Sequence, residues 1–318
     1  MKKLCKAVAF ALAAAAATAG GAVAADWTPP GPIKLMIGFR AGGGADTQAR
    51  LIAEELEARH GWTLIPEQVT GKGGATLAAA LKDEPNDGTA IGMLVTESLG
   101  YNMVSARNPG YTEKDFTPIT TTAGFQMGVV ALTSKGWNTI ADVFEAAKGG
   151  QAIRFGAMSP KLADLAYLTG KANDVEFNIV MVRGGKAVMD GLNVGDLDVG
   201  WGAGIQTKAV QAGDMVNLAS GLSVSLDATP DAPLMSDLGV EFTADGSFLF
   251  VAPAGLPAEA RQAMASAIGE IITDKNPKAA GFIDKGFGGA KVIQGAELDA
   301  LMANEVTGAK GLLAAASE

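Results

Sequence analysis

The feature that most constrains this chain is a unit of strand, glycine turn and helix that occurs twice between residues 33 and 82. In the first copy, an apolar run that begins at Ile33 meets three glycines at positions 42–44, and apolar residues at helical spacing follow as far as His60. Asp46 is predicted to cap the N-terminus of this helix, and Gly61 to end it in a left-handed conformation. The turn then presents free backbone amides at a helix N-terminus, which favours an anion.

The second copy has a short predicted strand at 63–69, a Gly-Lys-Gly-Gly turn at 71–74, and a helix that begins at Thr76. One such turn is explained by the tolerance of glycine for positive φ. Two in one domain predict a paired clamp for an anion. Arg40 is suited to a bidentate contact with a carboxylate or sulfonate, although a surface role explains it equally well.

The rest of the chain alternates between strand and helix patterns, which indicates an α/β fold. Further strands are predicted at 89–95, 125–132, 152–156, 177–182, 196–200, 215–219 and 248–251. Helices are predicted at 139–148, 161–169, 186–193 and 257–273, and from about 296. No low-complexity linker occurs, so two domains would be joined by strands.

The first 25 residues have the features of a secretory signal. Lys2, Lys3 and Lys6 precede an Ala-rich apolar segment, and a small-residue cleavage site places the cut near Ala25. The alternative is an uncleaved anchor helix. Cleavage would remove the single cysteine, Cys5, and lower Lys+Arg from 25 to 22 against 34 acidic residues, so the net charge would change from −9 to −12. We expect an acidic, exported protein that does not bind nucleic acid.

The sequence contains few residues or motifs that would support catalysis or cofactor binding. His60 is the only histidine, and its place at a helix end suggests a structural role. No G-x-S-x-G elbow, Walker sequence or G-x-G-x-x-G turn is present, and sites built on His or Cys are excluded by their number. We therefore expect no enzyme activity, no cofactor and no metal.

Several short motifs match one family in order. They read GFRAGGGAD at 38–46, EQVTGKGGA at 67–75, DGTAI at 87–91, KDFTP at 114–118, RGG at 183–185 and FVAPAGLP at 250–257. With them the chain resembles the periplasmic solute-binding proteins of tripartite tricarboxylate transporters, the Bug family. The likeness covers nearly all of the chain after the signal.

The resemblance implies a two-lobed periplasmic-binding-protein-like fold of type II, with a mixed sheet flanked by helices in each lobe and the ligand in the cleft between them. It implies a first lobe at 26–122 and 247–318, a second lobe at 123–246, and a monomer. The ligand-binding residues that it implies are Phe39, Arg40, Ala41, Gly42, Gly43, Gly44, Asp46, Thr47, Gly71, Lys72, Gly73, Gly74, Thr76, Met158, Ser159, Gly184 and Gly185, together with Trp201 and Asp245 as ligand-facing or hinge-adjacent residues.

The resemblance also implies a function. We expect the protein to capture a small organic anion, a carboxylate, and to deliver it to the membrane permease of a tripartite tricarboxylate transporter. Two alternatives remain: a periplasmic sensor that presents its ligand to a membrane receptor kinase, and a hydrolase on the same scaffold. Departures from the family pattern at 156–160, Ala75 and 201–203 put the usual dicarboxylate ligands in doubt, and Arg40 suggests an additional negative group.

Overall fold

The computed structural model describes residues 27–275 and 278–318, in which ten strands form two five-stranded sheets. The predicted signal at 1–25 lies outside these residues. The strands are β1 (Ile33–Ile37), β2 (Leu64–Gln68), β3 (Ala90–Val95), β4 (Phe116–Gly124), β5 (Met127–Leu132), β6 (Ile153–Ala157), β7 (Phe177–Met181), β8 (Val199–Ala203), β9 (Met215–Ser220) and β10 (Ser247–Pro253). The α-helices are α1 (Gly44–His60), α2 (Ala75–Leu81), α3 (Thr96–Leu99), α4 (Tyr101–Ser105), α5 (Ile140–Lys148), α6 (Pro160–Ala172), α7 (Gly185–Asn193), α8 (Thr207–Gln211), α9 (Ala258–Thr273), α10 (Lys278–Phe287) and α11 (Gly295–Ser317).

The two sheets share one arrangement of strand directions. The first has the order β2-β1-β3-β10-β4, in which β1 is parallel to β2 and β3 while β10 is antiparallel to β3 and β4. The second has the order β7-β6-β8-β5-β9, in which β6 is parallel to β7 and β8 while β5 is antiparallel to β8 and β9. Helices flank both sheets. The predicted α/β fold with two lobes is therefore confirmed.

Two chain segments, from β4 to β5 and from β9 to β10, connect the lobes, and they lie next to each other. The amide of Phe125 donates to the carbonyl of Gly246 at 3.0 Å, and the amide of Gly221 donates to the carbonyl of Met127 at 2.8 Å. A Cβ atom on Gly246 would lie 2.3 Å from the ring of Phe125. Only glycine fits at this close approach.

Helix α11 also joins the two lobes, by packing against both of them. It packs against α3, α4 and β4 of the first lobe and against α6 of the second. The hydroxyl of Tyr101 on α4 also donates to the carboxylate of Asp164 on α6. The lobes thus make direct contact on the α11 side of the molecule.

Alternating side chains of the first sheet enter two cores. Leu35 and Ile37 belong to the larger core, which includes α1 and α9, whereas Met36 packs on the opposite side with α2 and α11. Burial of one such side chain stabilises the fold by about 1.5–3 kcal/mol. In residues 27–275 and 278–318, no helix combines the length and the apolar character that crossing a membrane requires.

Most predicted elements agree with the structure, and Gly61 has the expected left-handed conformation at φ +68°. The strand predicted at 196–200 begins later, at Val199, because the amides of Asp196 and Leu197 donate to the carbonyl of Gly191 and close a turn after α7. Helices α3, α4, α8 and α10 were not predicted.

Candidate binding site at the sheet edges

Three loops meet at one edge of the first sheet. Because β1, β2 and β3 are parallel, their carboxyl ends lie together, which is where α/β sheets bind ligands. A Cβ atom on Gly38, directly after β1, would lie 3.3 Å from the Cα atom of Gly74. The side-chain amide of Gln68 approaches the carbonyl oxygen of Phe39 at 3.5 Å. The two glycine turns predicted from the sequence are therefore neighbours.

Asp46 stabilises the first turn, but it does not cap the helix. Gly43 is the N-cap of α1, and Asp46 lies in the first helical turn with 3% of its surface exposed. Its Oδ2 atom accepts the amide of Gly42 at 2.9 Å, and its Oδ1 atom accepts Nε of Arg50 at 2.8 Å. The predicted N-cap is wrong because the carboxylate reaches back across the turn. The amide of Gly42, which was predicted to be free for an anion, is thus satisfied by Asp46.

The first residues of α1 have backbone amides that are free to bind a ligand. Those of Gly44 and Ala45 find no acceptor within the described part of the chain, as is usual for the first residues of a helix. A Cβ atom on Gly44 would lie 2.7 Å from the ring of Phe287, and one on Gly204 would lie 2.8 Å from the same ring. Phe287 therefore packs between this turn and the second lobe, so Gly44 is also required for packing.

The second turn has an unusual backbone. Residues 71–74 all have positive φ, a conformation that glycine tolerates and that Lys72 rarely adopts. The carbonyl of Gly73 accepts Oγ of Ser98 at 2.7 Å and Nδ2 of Asn102 at 3.0 Å, which anchors the turn to α3 and α4. Among the described residues, the amides of Lys72 and Gly73 have no acceptor. The second turn therefore leaves the amides of Lys72 and Gly73 free, and not those of all four residues 71–74.

The other predicted residues of the first lobe lie around these turns. Arg40, Ala41 and Lys72 are exposed, whereas Phe39 is half-buried against the core. The amide of Thr47 donates to Gly43 at 2.9 Å, so it belongs to the helix. The amide of Thr76 is directed to the carbonyl of Gly71 at 3.4 Å.

The second lobe presents a similar edge. Met158 and Ser159 follow β6, and the Gly184-Gly185 turn precedes α7. Ser159 is 5% exposed, and its Oγ atom caps α6 by accepting the amide of Leu162 at 3.3 Å. Gly184 has φ +85° at the N-cap of α7.

Trp201 and Asp245 lie at the connection between the lobes. Trp201 has no exposed surface, and its indole N–H donates to the carbonyl of Leu162 at 2.8 Å. Its prediction as ligand-facing is wrong because the ring fills the core, where it also touches Gly221 beside the connecting segment. The carboxylate of Asp245 accepts Oγ1 of Thr243 at 2.8 Å, within a connecting segment. Asp245 lies within a connecting segment and Trp201 touches a residue beside one, so the hinge-adjacent role of both residues stays a prediction.

A buried charged cluster, which was not predicted from the sequence, lies where the lobes touch. Glu97 lies in the first turn of α3, which directly follows β3, and is 5% exposed, beside Lys161 of α6. Burial raises the pKa of Glu97, and the charge of Lys161 and hydrogen bonding by Ser159 and Asn102 oppose this effect. Burial also raises the pKa of Glu305 on α11. The sequence offered a signal, since Glu97 stands two residues after the strand predicted at 89–95.

This cluster borders a cavity of about 280 Å³ whose lining includes Tyr101, Lys161, Asp245 and Glu305. No residue of either glycine turn lines this cavity. Nζ of Lys161 donates to the carbonyl of Asp245 at 2.9 Å. In the described residues, no group of three or more His, Cys, Asp and Glu side chains is placed to hold a metal ion.

Comparison with known proteins decides the family. The family model described as "Tripartite tricarboxylate transporter family receptor" (TctC) matches residues 48–314. The chain belongs to this family. A UPF0065 protein of Agrobacterium vitis is 25% identical over 261 residues, which are 80% of this chain and 75% of the relative. Protein BugT of Bordetella pertussis is 25% identical over 260 residues, 75% of this chain and 76% of BugT.

Solved structures of TctC and Bug proteins have the same fold. MatC from Rhodopseudomonas palustris, solved with bound malate, superimposes with a TM-score of 0.78 at 18% identity and covers 90% of this chain and 99% of MatC. The periplasmic binding protein BugD superimposes with a TM-score of 0.76 at 22% identity and covers 91% and 99%. The R. palustris protein Rpa4515, solved with adipate, gives a TM-score of 0.78 at 20% identity and covers 91% and 98%. The chain is thus a TctC-family solute-binding protein, a class without catalytic function.

Proposed function

We propose that this TctC-family protein binds a small organic carboxylate in the periplasm and delivers it to the membrane permease of a tripartite tricarboxylate transporter. The observation that carries the proposal is the pair of neighbouring glycine turns, which leave unpaired amides at Gly44, Ala45, Lys72 and Gly73. The malate and adipate in the structures of MatC and Rpa4515 support the choice of a carboxylate.

The energetics are sufficient for specific binding. A hydrogen bond to a charged group contributes about 1.5–3 kcal/mol, and micromolar affinity requires about 8 kcal/mol. Three or four amide contacts therefore reach this range once the lobes close and exclude water. Arg40 and Lys72 are exposed beside the turns, and either side chain can add a charge-assisted contact. Because the chain is acidic overall, the attraction of an anion is local to these turns.

A ligand panel tests the proposal. We expect at least one mono-, di- or tricarboxylate to stabilise the protein against thermal unfolding, by about 2.7 kcal/mol at about 100 times Kd. Arg40→Glu should weaken binding about tenfold by placing a like charge beside the ligand. Arg107→Glu makes the same charge change at an exposed position after α4 and should leave affinity unchanged. Stabilisation by none of the organic acids would refute the proposal.

The delivery step needs its own measurement. We expect uptake of the ligand by cells to require both this protein and the permease subunits. If uptake continues without this protein while a membrane receptor kinase responds to the ligand only in its presence, the protein is a sensor and the transport role is refuted.

A further inference from the structure

A buried acid and a buried amide lie between the second glycine turn and the second lobe. Glu97 on α3 is 5% exposed, and Asn102 on α4 is 4% exposed. The carboxyl of Glu97 forms hydrogen bonds with the side chains of Asn102 and of Ser159, the residue that caps α6. Asn102 in turn donates from Nδ2 to the carbonyl of Gly73 at 3.0 Å. A chain of side chains therefore links Gly73 in the first lobe to α6 in the second.

The contact with Gly73 fixes the orientation of the Asn102 amide. A backbone carbonyl only accepts hydrogen bonds, so the nitrogen of the amide, and not its oxygen, must face Gly73. The two hydrogens on Nδ2 are then used, one for Gly73 and one for Glu97. Oδ1 of Asn102 remains, and within the described part of the chain it is buried without a hydrogen-bond partner. This acceptor needs a donor, because an unpaired buried polar atom costs stability.

The protonation state of Glu97 decides whether that donor exists. An ionised carboxylate only accepts hydrogen bonds, whereas a carboxylic acid also has one O–H to donate. The neutral acid can thus accept from Nδ2 of Asn102 and donate to Oδ1 of the same amide. Such a two-bond pair satisfies the polar atom of Asn102 that otherwise has no partner.

A shared cation faces Glu97. Lys161 on α6 lies beside it, but the Nζ atom of Lys161 donates to the backbone carbonyl of Asp245 at 2.9 Å. Among the described residues, Lys161 forms no ion pair within 4.0 Å. Lys161 also interacts with the carboxyl of Glu305 on α11, which is close enough to Glu97 and Asp245 for like charges to repel. Burial therefore outweighs the charge of Lys161 and raises the pKa of Glu97.

The remaining titratable group that faces Glu97 comes from α4. The hydroxyl of Tyr101 donates to the carboxylate of Asp164 on α6 and interacts with the charge of Glu97. Burial and these two carboxyls raise the pKa of Tyr101, so the hydroxyl adds no charge to the cluster. The surroundings of Glu97 thus favour its neutral form.

We propose that Glu97 positions the second glycine turn as a neutral carboxylic acid paired with the amide of Asn102, so that binding of a carboxylate ligand weakens as pH rises. This inference rests on the proposed function, because the turn supplies two of the amides that hold the ligand. When Glu97 loses its proton, Oδ1 of Asn102 loses its donor, and the amide is no longer fixed against Gly73. The ionised acid also places a like charge near the bound anion. Glu97 acts through Asn102 and is a positioning residue.

Two substitutions at one position separate the pairing from the charge. Glu97→Gln has the shape of the neutral acid and keeps a donor and an acceptor for the Asn102 amide, whereas Glu97→Leu removes both. Titration calorimetry with malate and with adipate, at pH 6 and at pH 9, gives the affinities. The wild-type Kd should rise about tenfold or more between these pH values, since one linked proton can change affinity by about tenfold per pH unit.

The variants should differ from the wild type in opposite ways. Glu97→Gln should bind with one Kd at both pH values, equal to that of the wild type at pH 6. Glu97→Leu should bind about tenfold more weakly than the wild type at pH 6. Glu259→Gln, at an exposed position in α9, is the control and should keep the pH dependence of the wild type. Circular dichroism confirms that each variant is folded.

Infrared spectroscopy tests the neutral acid without a ligand. At pH 6 an ordinary glutamate, with a pKa of about 4.3, is ionised. The spectrum of the wild type minus that of Glu97→Gln should contain the C=O stretching band of a protonated carboxyl. The same difference for Glu259→Gln should lack this band.

Several results would overturn the inference. One is a wild-type Kd that is constant between pH 6 and pH 9, or a Glu97→Gln variant that keeps the wild-type pH dependence. Equal losses of affinity in Glu97→Gln and Glu97→Leu at pH 6 would show that the ionised carboxylate is the required form. Wild-type affinity in Glu97→Leu would show that Glu97 does not position the turn. If no carboxylate binds, the proposed function fails, and the infrared band still decides whether Glu97 is neutral.

Discussion

At the scale of the residue, Asp46 shows how a carboxylate can support the proposed anion site without touching the anion. It accepts the amide of Gly42 and pairs with Arg50, and thereby fixes the turn that leaves the next amides free. Sequence analysis identified the residue and its helix end correctly but gave it the wrong position in the helix. The pattern of residue types does not distinguish an N-cap from a residue three positions later that reaches back.

Asp46→Ala should destabilise the protein, because the amide of Gly42 loses its acceptor and the buried site becomes empty. Hydrogen bonds to a charged group contribute about 1.5–3 kcal/mol, so we expect a loss of this size in the free energy of unfolding measured with urea. Asp83→Ala is the control, since that side chain is 72% exposed, and it should change stability by less than about 0.5 kcal/mol. Equal effects of the two substitutions would contradict the role assigned to Asp46.

At the scale of the element, strands and helices with clear periodicity were predictable, and short or packing-dependent ones were not. The apolar pattern located β1, β3 and α9 closely. Helix α10 was missed because two glycines lie within its ten residues, and Phe287 at its end acquires its role only by packing between Gly44 and Gly204. Contacts between the lobes, such as that of α4 with α6, depend on the tertiary structure.

Glu97 on α3 gives a prediction for pH dependence. Burial raises the pKa of Glu97 in the folded protein. The charge of Lys161 and the hydrogen bonds of Ser159 and Asn102 oppose this shift, and the carboxyl of Glu305 interacts with that of Glu97. Because the folded state disfavours the ionised form of Glu97, the contribution of this group to stability is fully present below the ordinary glutamate pKa and is lost as pH rises above it. Glu97→Gln should therefore raise the free energy of unfolding at pH 8 and give no gain near pH 4.

Urea titrations at both pH values measure this effect. Glu259→Gln, at an exposed position in the first turn of α9, is the control and should give the same small change at both. A loss of stability for Glu97→Gln at pH 8 would show that the ionised carboxylate, paired with Lys161, stabilises the contact between the lobes.

At the scale of the whole molecule, the alternation of strands and helices predicted the α/β class, but the two-lobed arrangement came from the family resemblance. Strand β10 pairs with β3 in the first sheet, although about 150 residues of chain lie between them. No local sequence pattern reveals such a pairing. The predicted site residues fall mostly at the two sheet edges that face ligands in α/β folds. Trp201 and Asp245 are exceptions: Asp245 lies in a segment that connects the lobes, and Trp201 lies in the core, since a buried aromatic and a ligand-facing one look alike in sequence.

The measurement that tests the central claim most directly is an amide NMR titration of the isotope-labelled protein with the tightest carboxylate of the panel. We predict that the amide signals of Gly44, Ala45, Lys72 and Gly73 shift downfield together and saturate with one Kd, because each gains an anionic acceptor. Signals of these four residues that stay unchanged, while amides elsewhere respond and saturate, would contradict the account.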